Sequence, residues 1–74
     1  MCLGIPMKIV ELEYPMGICE VDGLRRKVNF QLLPEKELKI GDYVIVHVGF
    51  AIQKLSPKEA EETLNFLKEL AQHA

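Results

Sequence analysis

The stretch Tyr43-Val44-Ile45-Val46-His47-Val48 carries the decisive fold signal in this chain. It is rich in β-branched residues and opens on an aromatic one, the types that pack best on a pleated surface. Alternation places Val44, Val46 and Val48 on one face and Tyr43, Ile45 and His47 on the other. Both faces are partly apolar, so the Tyr43, Ile45 and His47 face is one for the C-terminal helix, a partner, or both to cover. Gly41-Asp42 leads into the strand. Gly49 breaks or bulges the run before a short final strand over about residues 50–55.

Upstream, the same period recurs in shorter pieces. From Lys8 to Tyr14 apolar and polar residues alternate, with Val10, Leu12 and Tyr14 on one face and Glu11 and Glu13 on the other. Pro15 interrupts this strand, and a second follows over about residues 17–21. Asp22-Gly23 is a two-residue hairpin signal, because both central positions of such a turn need positive φ. A third strand over about residues 24–33 turns Val28, Phe30 and Leu32 inward and Lys27, Asn29 and Gln31 outward, until Pro34 opens a charged loop. Several short, evenly spaced strands predict a small closed barrel, since closure removes exposed edges.

Downstream the period changes. Ser56-Pro57-Lys58-Glu59 combines an N-cap serine, a proline at the first helical position and a glutamate at the third, a capping box with its entry proline. Glu59, Glu61 and Glu62 suit the positive end of the helix dipole. Ala60, Leu64, Leu67 and Ala71 then recur at helical spacing, flanked by Phe66 and Leu70, and predict a helix to about His73 that lies on the barrel or on a partner. The fold class is therefore mainly β with one C-terminal α-helix. The 74 residues form a single domain, with the barrel and a functional N-terminus over 1–55 and the helix over 56–73.

A chain this short buries only ~60% of its unfolded surface and has little room for a deep private site. Function is expected at a surface or terminus that a partner completes. Nine Lys or Arg against eleven Asp or Glu leave a net charge of -2. That balance argues against general nucleic-acid binding, which needs a cationic surplus to displace counterions. Arg25-Arg26-Lys27 is the one local basic cluster in the sequence. No apolar run approaches the ~20 residues that span a bilayer, and the opening Met1-Cys2-Leu3-Gly4-Ile5-Pro6 lacks the basic region of a signal peptide. A cytoplasmic protein without membrane contact is expected. In that reducing setting a Cys2–Cys19 disulfide is disfavoured, and the two cysteines and two histidines are too dispersed for a local zinc signature.

Two side chains stand out chemically. Removal of the initiator Met would place the Cys2 thiol beside a free α-amino group, whose charge lowers a thiol pKa; the thiolate is both nucleophile and soft metal ligand. Its position is equally compatible with a cysteine of no special role. Cys19 shares strand parity with Val21 and reads as a small buried hydrophobe. His47 is either a structural histidine or, if near Cys2, a metal ligand or a group that tunes a thiolate. His73 suits a solvated helix end, and Arg25, Arg26 and Lys27 suit solvated strand-end charges. No carboxylate pair, Ser-His-Asp order or phosphate-cradling Gly loop appears in the sequence, so no hydrolase or phosphotransferase is indicated.

Two blocks of sequence resemble one known family. Met1-Cys2-Leu3-Gly4-Ile5-Pro6 with Lys8-Ile9 resembles the opening signature of the HypC/HupF/HybG [NiFe] hydrogenase assembly chaperones. Gly41-Asp42-Tyr43-Val44-Ile45-Val46-His47-Val48-Gly49-Phe50-Ala51-Ile52 resembles that family's second characteristic segment. The resemblance implies a small OB-fold-like β-barrel with a C-terminal helix that acts as scaffold and carrier, not as an enzyme. It implies binding to the iron-sulfur protein HypD during assembly of the Fe(CN)2(CO) unit, with HypE reached through that complex, followed by delivery to the hydrogenase large-subunit precursor. Iron is then transient and shared with the partner, and none is permanently bound. The family's essential cysteine maps onto Cys2, the expected iron ligand, and its functional histidine onto His47 in a supporting role. Leu3, Gly4, Ile5 and Pro6 join those two as expected partner-binding residues. Two other classes compete: an OB-like nucleic-acid-binding module resting on Arg25-Arg26-Lys27, and a thiol enzyme with Cys2 as nucleophile and His47 as base. Net acidity and few aromatic residues weigh against the first, and the want of a visible oxyanion site in the sequence weighs against the second.

Overall fold

The structure is a computed structural model that describes residues 5–72. Its strands are β1 (Ile5–Glu13), β2 (Met16–Val21), β3 (Leu24–Asn29), β4 (Tyr43–His47) and β5 (Phe50–Leu55). A 3-10 turn at Glu35–Glu37 lies between β3 and β4, and helix α1 (Pro57–Gln72) follows β5. The strands close in the order β1-β2-β3-β5-β4 and back to β1. All neighbours run antiparallel except β3 and β5, which meet in parallel at the single pair Asn29–Phe50. This is the arrangement of a partly open five-stranded OB-type barrel, with one C-terminal helix as expected.

Strict alternation fails in β1. Ile9 pairs with Cys19 and Glu11 with Ile18, which leaves Val10 as an extra residue in a bulge. A bulge reverses parity, because side chains alternate every residue while the partner strand advances by one fewer. Met7 and Ile9 therefore point inward before the bulge, and Leu12 and Tyr14 pack against the core after it. The expected row of Val10, Leu12 and Tyr14 is corrected accordingly: Val10 is the half-buried bulge residue, and Ile9 takes its place in the core.

The expected third strand is also too long. β3 ends at Asn29, whose side-chain Oδ1 accepts the Gln31 N–H at 2.7 Å, a local turn that diverts the chain. Phe30 still reaches the centre of the core, but Leu32 is exposed. Downstream, Val48 does not join Val44 in the barrel. It forms the two-residue hairpin turn with Gly49, both at positive φ, and is 81% exposed. The Asp22-Gly23 turn has the same form, as its sequence indicates.

The core comprises Met7, Ile9, Cys19, Val28, Phe30, Leu38, Val44 and Ala51. The Phe30 ring lies against the backbone at Gly17, where a Cβ would stand 2.6 Å from Cε2 of the ring and 2.6 Å from the Glu11 carbonyl oxygen. Tyr14 ties the end of β1 to the loop after β3 by donating its hydroxyl proton to the Leu33 carbonyl at 2.7 Å. Lys54 pins the loop before β4, donating to the Glu37 carbonyl at 2.8 Å and pairing with Asp42 at 3.4 Å.

The capping box forms as the sequence predicts. The Glu59 N–H donates to Ser56 Oγ and the Ser56 N–H to Glu59 Oε1, each at 3.1 Å. From that anchor α1 packs over β1, β4 and β5, burying Ala60. Its outer face leaves Phe66 and Leu70 exposed.

Candidate functional site

Strand register gathers several sequence features at one end of the barrel. Ile5 pairs with Val46, and His47 with Phe50. Residue 5 thus joins the wall one position from His47, next to the Val48-Gly49 turn. The β2–β3 turn reaches the same end, where Ile5, Val21 and Asp22 face Leu64, Leu67 and Ala71 of α1 across a groove of about 440 Å³. That groove is mainly apolar because it is floored by the inner stripe of the helix. The stripe that the sequence marks as core therefore serves partly as a groove wall. Its alternation with charge does not distinguish the two roles.

Of the expected site residues, Cys2, Leu3 and Gly4 lie outside the described residues, as does His73. Ile5 is half exposed, whereas Pro6 is buried in the wall opposite Ile45. Pro6 fits there because β1 at that point pairs only with β4, so its missing N–H has no ladder position to leave empty.

His47 shares the outward face of β4 with Tyr43 and Ile45, as alternation predicts. The helix lies beside Tyr43, which lines a shallow cleft with Pro57, Glu61, Leu64 and Asn65. The imidazole Nε2 is buried yet has no hydrogen-bond partner among the described residues. Leaving such a nitrogen unpaired costs about 1–3 kcal/mol, so this atom is a natural place for a donor or ligand from elsewhere. As a neutral imidazole nitrogen it can accept a proton or bind a metal; protonated, it can donate a hydrogen bond.

Cys19 is the opposite case. It is fully buried in the core, and burial pushes its thiol from 9.0 up to about 11. At neutral pH it is a protonated packing group and not a nucleophile. Among the described residues no three His, Cys, Asp or Glu side chains converge as a metal site. His47 alone cannot hold a metal; further ligands would have to come from the N-terminal segment or from a partner.

Arg25, Arg26 and Lys27 are exposed on β3. Arg25 pairs with Glu20 at 3.0 Å and with Glu11 at 3.8 Å across the outer face of the sheet. The basic cluster is thereby partly neutralised, which further weakens it as a phosphate-binding stripe. No helix among the described residues is long and apolar enough to cross a membrane.

Comparison with known proteins agrees with the geometry. Residues 1–67 match the model of the HupF/HypC family. The chain is similar to the hydrogenase maturation factor HypC of Azotobacter chroococcum, at 51% identity over 100% of this chain and 87% of the relative. It is 45% identical to the HypC of Cupriavidus necator, over 95% of this chain and 77% of the relative. It is also 33% identical to the hydrogenase maturation factor HybG of Escherichia coli, over 95% of this chain and 92% of the relative.

Proposed function

This chain belongs to the HupF/HypC family of hydrogenase-maturation chaperones, and from that membership we propose that it carries iron on the Cys2 thiolate while bound to HypD. In this reading the cargo is the Fe(CN)2(CO) unit. HypE supplies cyanide through the HypD complex, and the loaded chaperone then meets the hydrogenase large-subunit precursor in the cytoplasm. The protein is a carrier and scaffold, not an enzyme.

The observation that carries the proposal is the buried Nε2 of His47, which has no hydrogen-bond partner among the described residues, next to the Ile5–Val46 pair. Cys2 is three residues upstream of Ile5 in the sequence, and Ile5 pairs with Val46, the residue before His47. Cys19, by contrast, is a core thiol with a raised pKa, which leaves Cys2 to supply a reactive sulfur.

The chemistry is ligand exchange without a change of oxidation state. As the Cys2 sulfur replaces a water on the HypD-bound iron, its S–H proton passes to His47 Nε2. On delivery a donor of the large-subunit precursor replaces the sulfur on iron, and the proton returns to the sulfur. A single ligand at a chain terminus suits a carrier, because few protein ligands keep the metal transferable.

The test is a Cys2→Ala variant compared with Cys19→Val. The first should fold and bind HypD yet yield a complex without the cyanide and carbon monoxide infrared bands. The second should load iron nearly as wild type does, since it keeps apolar volume in the core. Equal loading in wild type and Cys2→Ala would end the carrier reading.

A further inference from the structure

The barrel is incomplete along β3. Val21 and Leu24 flank the two-residue Asp22-Gly23 turn, so they form a hydrogen-bonded pair, and bonded pairs alternate from there. Arg26 bonds to Cys19 and Val28 to Gly17. Arg25, Lys27 and Asn29 consequently turn their N–H and C=O groups away from β2. Asn29 meets β5 this way, donating its N–H to the Gly49 carbonyl at 2.8 Å. β5 pairs with β3 nowhere else. Among the described residues the outward N–H groups of Arg25 and Lys27 have no backbone partner, and the Arg25 carbonyl is met only by the guanidinium of Arg26, at 3.1 Å.

Side-chain exposure agrees with a missing neighbour. Leu24 and Arg26 share the inward parity of Val28 and stand opposite Val21 and Cys19. Yet Leu24 is 48% exposed and Arg26 is exposed too, while Val28 is fully covered. Among the described residues nothing beyond the edge of β3 shields them.

Charge selects the occupant. Arg25 is engaged by Glu20 and Glu11, but among the described residues Arg26 and Lys27 have no carboxylate partner. They are adjacent on one strand, so Arg26 projects on the inner face and Lys27 on the outer. We propose that the open edge of β3 at Arg25, Arg26 and Lys27 is a docking site for an extended acidic segment of a partner protein. The segment adds as a further strand, its main chain bonding to Arg25 and Lys27. Two consecutive acidic residues place one carboxylate toward Arg26 and the other toward Lys27. A second copy of this chain is disfavoured there, because edge-to-edge pairing would set like charges opposite one another. Strand addition at this edge is separate from iron carriage. Because Leu24 follows the turn that helps to line the Ile5 groove, a strand docked here lies alongside the end of the barrel where residue 5 enters.

Amide hydrogen exchange on the full, 15N-labelled chain tests this with the end-blocked peptide Thr-Val-Glu-Asp-Val-Thr. The Arg25 and Lys27 amides should exchange about tenfold more slowly at saturating peptide, while Leu24 and Arg26, already bonded to β2, stay unchanged. That alternation is the signature of an added strand. The peptide Thr-Val-Lys-Lys-Val-Thr should give no protection with the wild-type chain. The double variant Arg26→Glu, Lys27→Glu should reverse the preference, with the Cys19 and Val28 amides reporting an intact barrel. Uniform slowing, no slowing, or equal protection by both peptides would overturn the proposal. So would an oligodeoxythymidine that perturbs Arg26 and Lys27 where the acidic peptide does not, since the edge would then be a nucleic-acid face.

Discussion

Gly17→Ala should strongly destabilise this barrel. The added carbon would stand 2.6 Å from the Glu11 carbonyl oxygen and 2.6 Å from Cε2 of Phe30, with the Leu12 Cα at 3.4 Å. The first contact is with backbone held in the β1–β2 ladder, where Leu12 pairs with Gly17. The second is with a fully buried ring that has no open space to enter. Overpacking of this kind typically costs 1–3 kcal/mol, and two rigid neighbours place this site at about 3 kcal/mol. A domain of 74 residues has only about 4–11 kcal/mol in total. At about 4–8 °C per kcal/mol for this size, the melting temperature should fall by about 12–24 °C. Urea and thermal denaturation followed by far-UV circular dichroism measure both quantities. Adding Phe30→Leu removes one of the two clashes, so the double variant should recover about 1 kcal/mol relative to additivity. A drop of less than about 4 °C for Gly17→Ala, or strict additivity in the cycle, would refute the claim that ring and carbonyl together exclude a side chain here.

The buried thiol of Cys19 gives a pH signature. The unfolded group ionises near 9.0 and the folded one near 11, so the folded state retains a proton that the unfolded chain loses. Stability should therefore fall as pH rises from 9 through 11, by ~2–3 kcal/mol in full, and Cys19→Val should flatten that part of the curve in urea titrations. Glu59 has the opposite sign: the Ser56 backbone N–H, and then its hydroxyl, hold the carboxyl below its ordinary 4.5. Helix content is then intact above that value and should decline as pH falls through the lower folded pKa, less so in Glu59→Gln, by circular dichroism. His47→Ala should leave thermal stability within about 1 kcal/mol, because it removes a partly buried side chain outside the packed core, whose Nε2 makes no hydrogen bond among the described residues. It should nonetheless weaken the infrared bands of the iron unit on the HypD complex; a variant that unfolds would make His47 structural, and one that loads fully would make it incidental.

The helix and its start were legible because their signals are local. Ser56, Pro57 and Glu59 satisfy the first turn through groups within three residues of one another, and no distant contact can reassign them. The Asp22-Gly23 turn, the β-branched run from Tyr43 and the Cys19 parity were legible for the same reason. The N-terminal cysteine and the histidine stand as candidates, through residue type and through resemblance to a family.

Whatever depends on counting residues between two strands was not legible. Val10 looks like a core residue until Ile9 and Glu11 are seen to pair with neighbouring positions of β2. One unpaired residue then exchanges the faces of everything around it. Leu32 and Val48 continue their strands by pattern alone, yet the Asn29 side chain ends one strand and the Val48-Gly49 turn ends the other. Tertiary structure alone also set the Phe30 ring on Gly17, left Nε2 of His47 without a described partner and opened the edge of β3. Period and propensity are properties of neighbours along the chain, so the sequence by itself determined the elements, the cap and the candidate chemical groups. Register, bulges and edges are properties of pairs far apart in sequence, decided by which backbone groups find partners when the barrel closes.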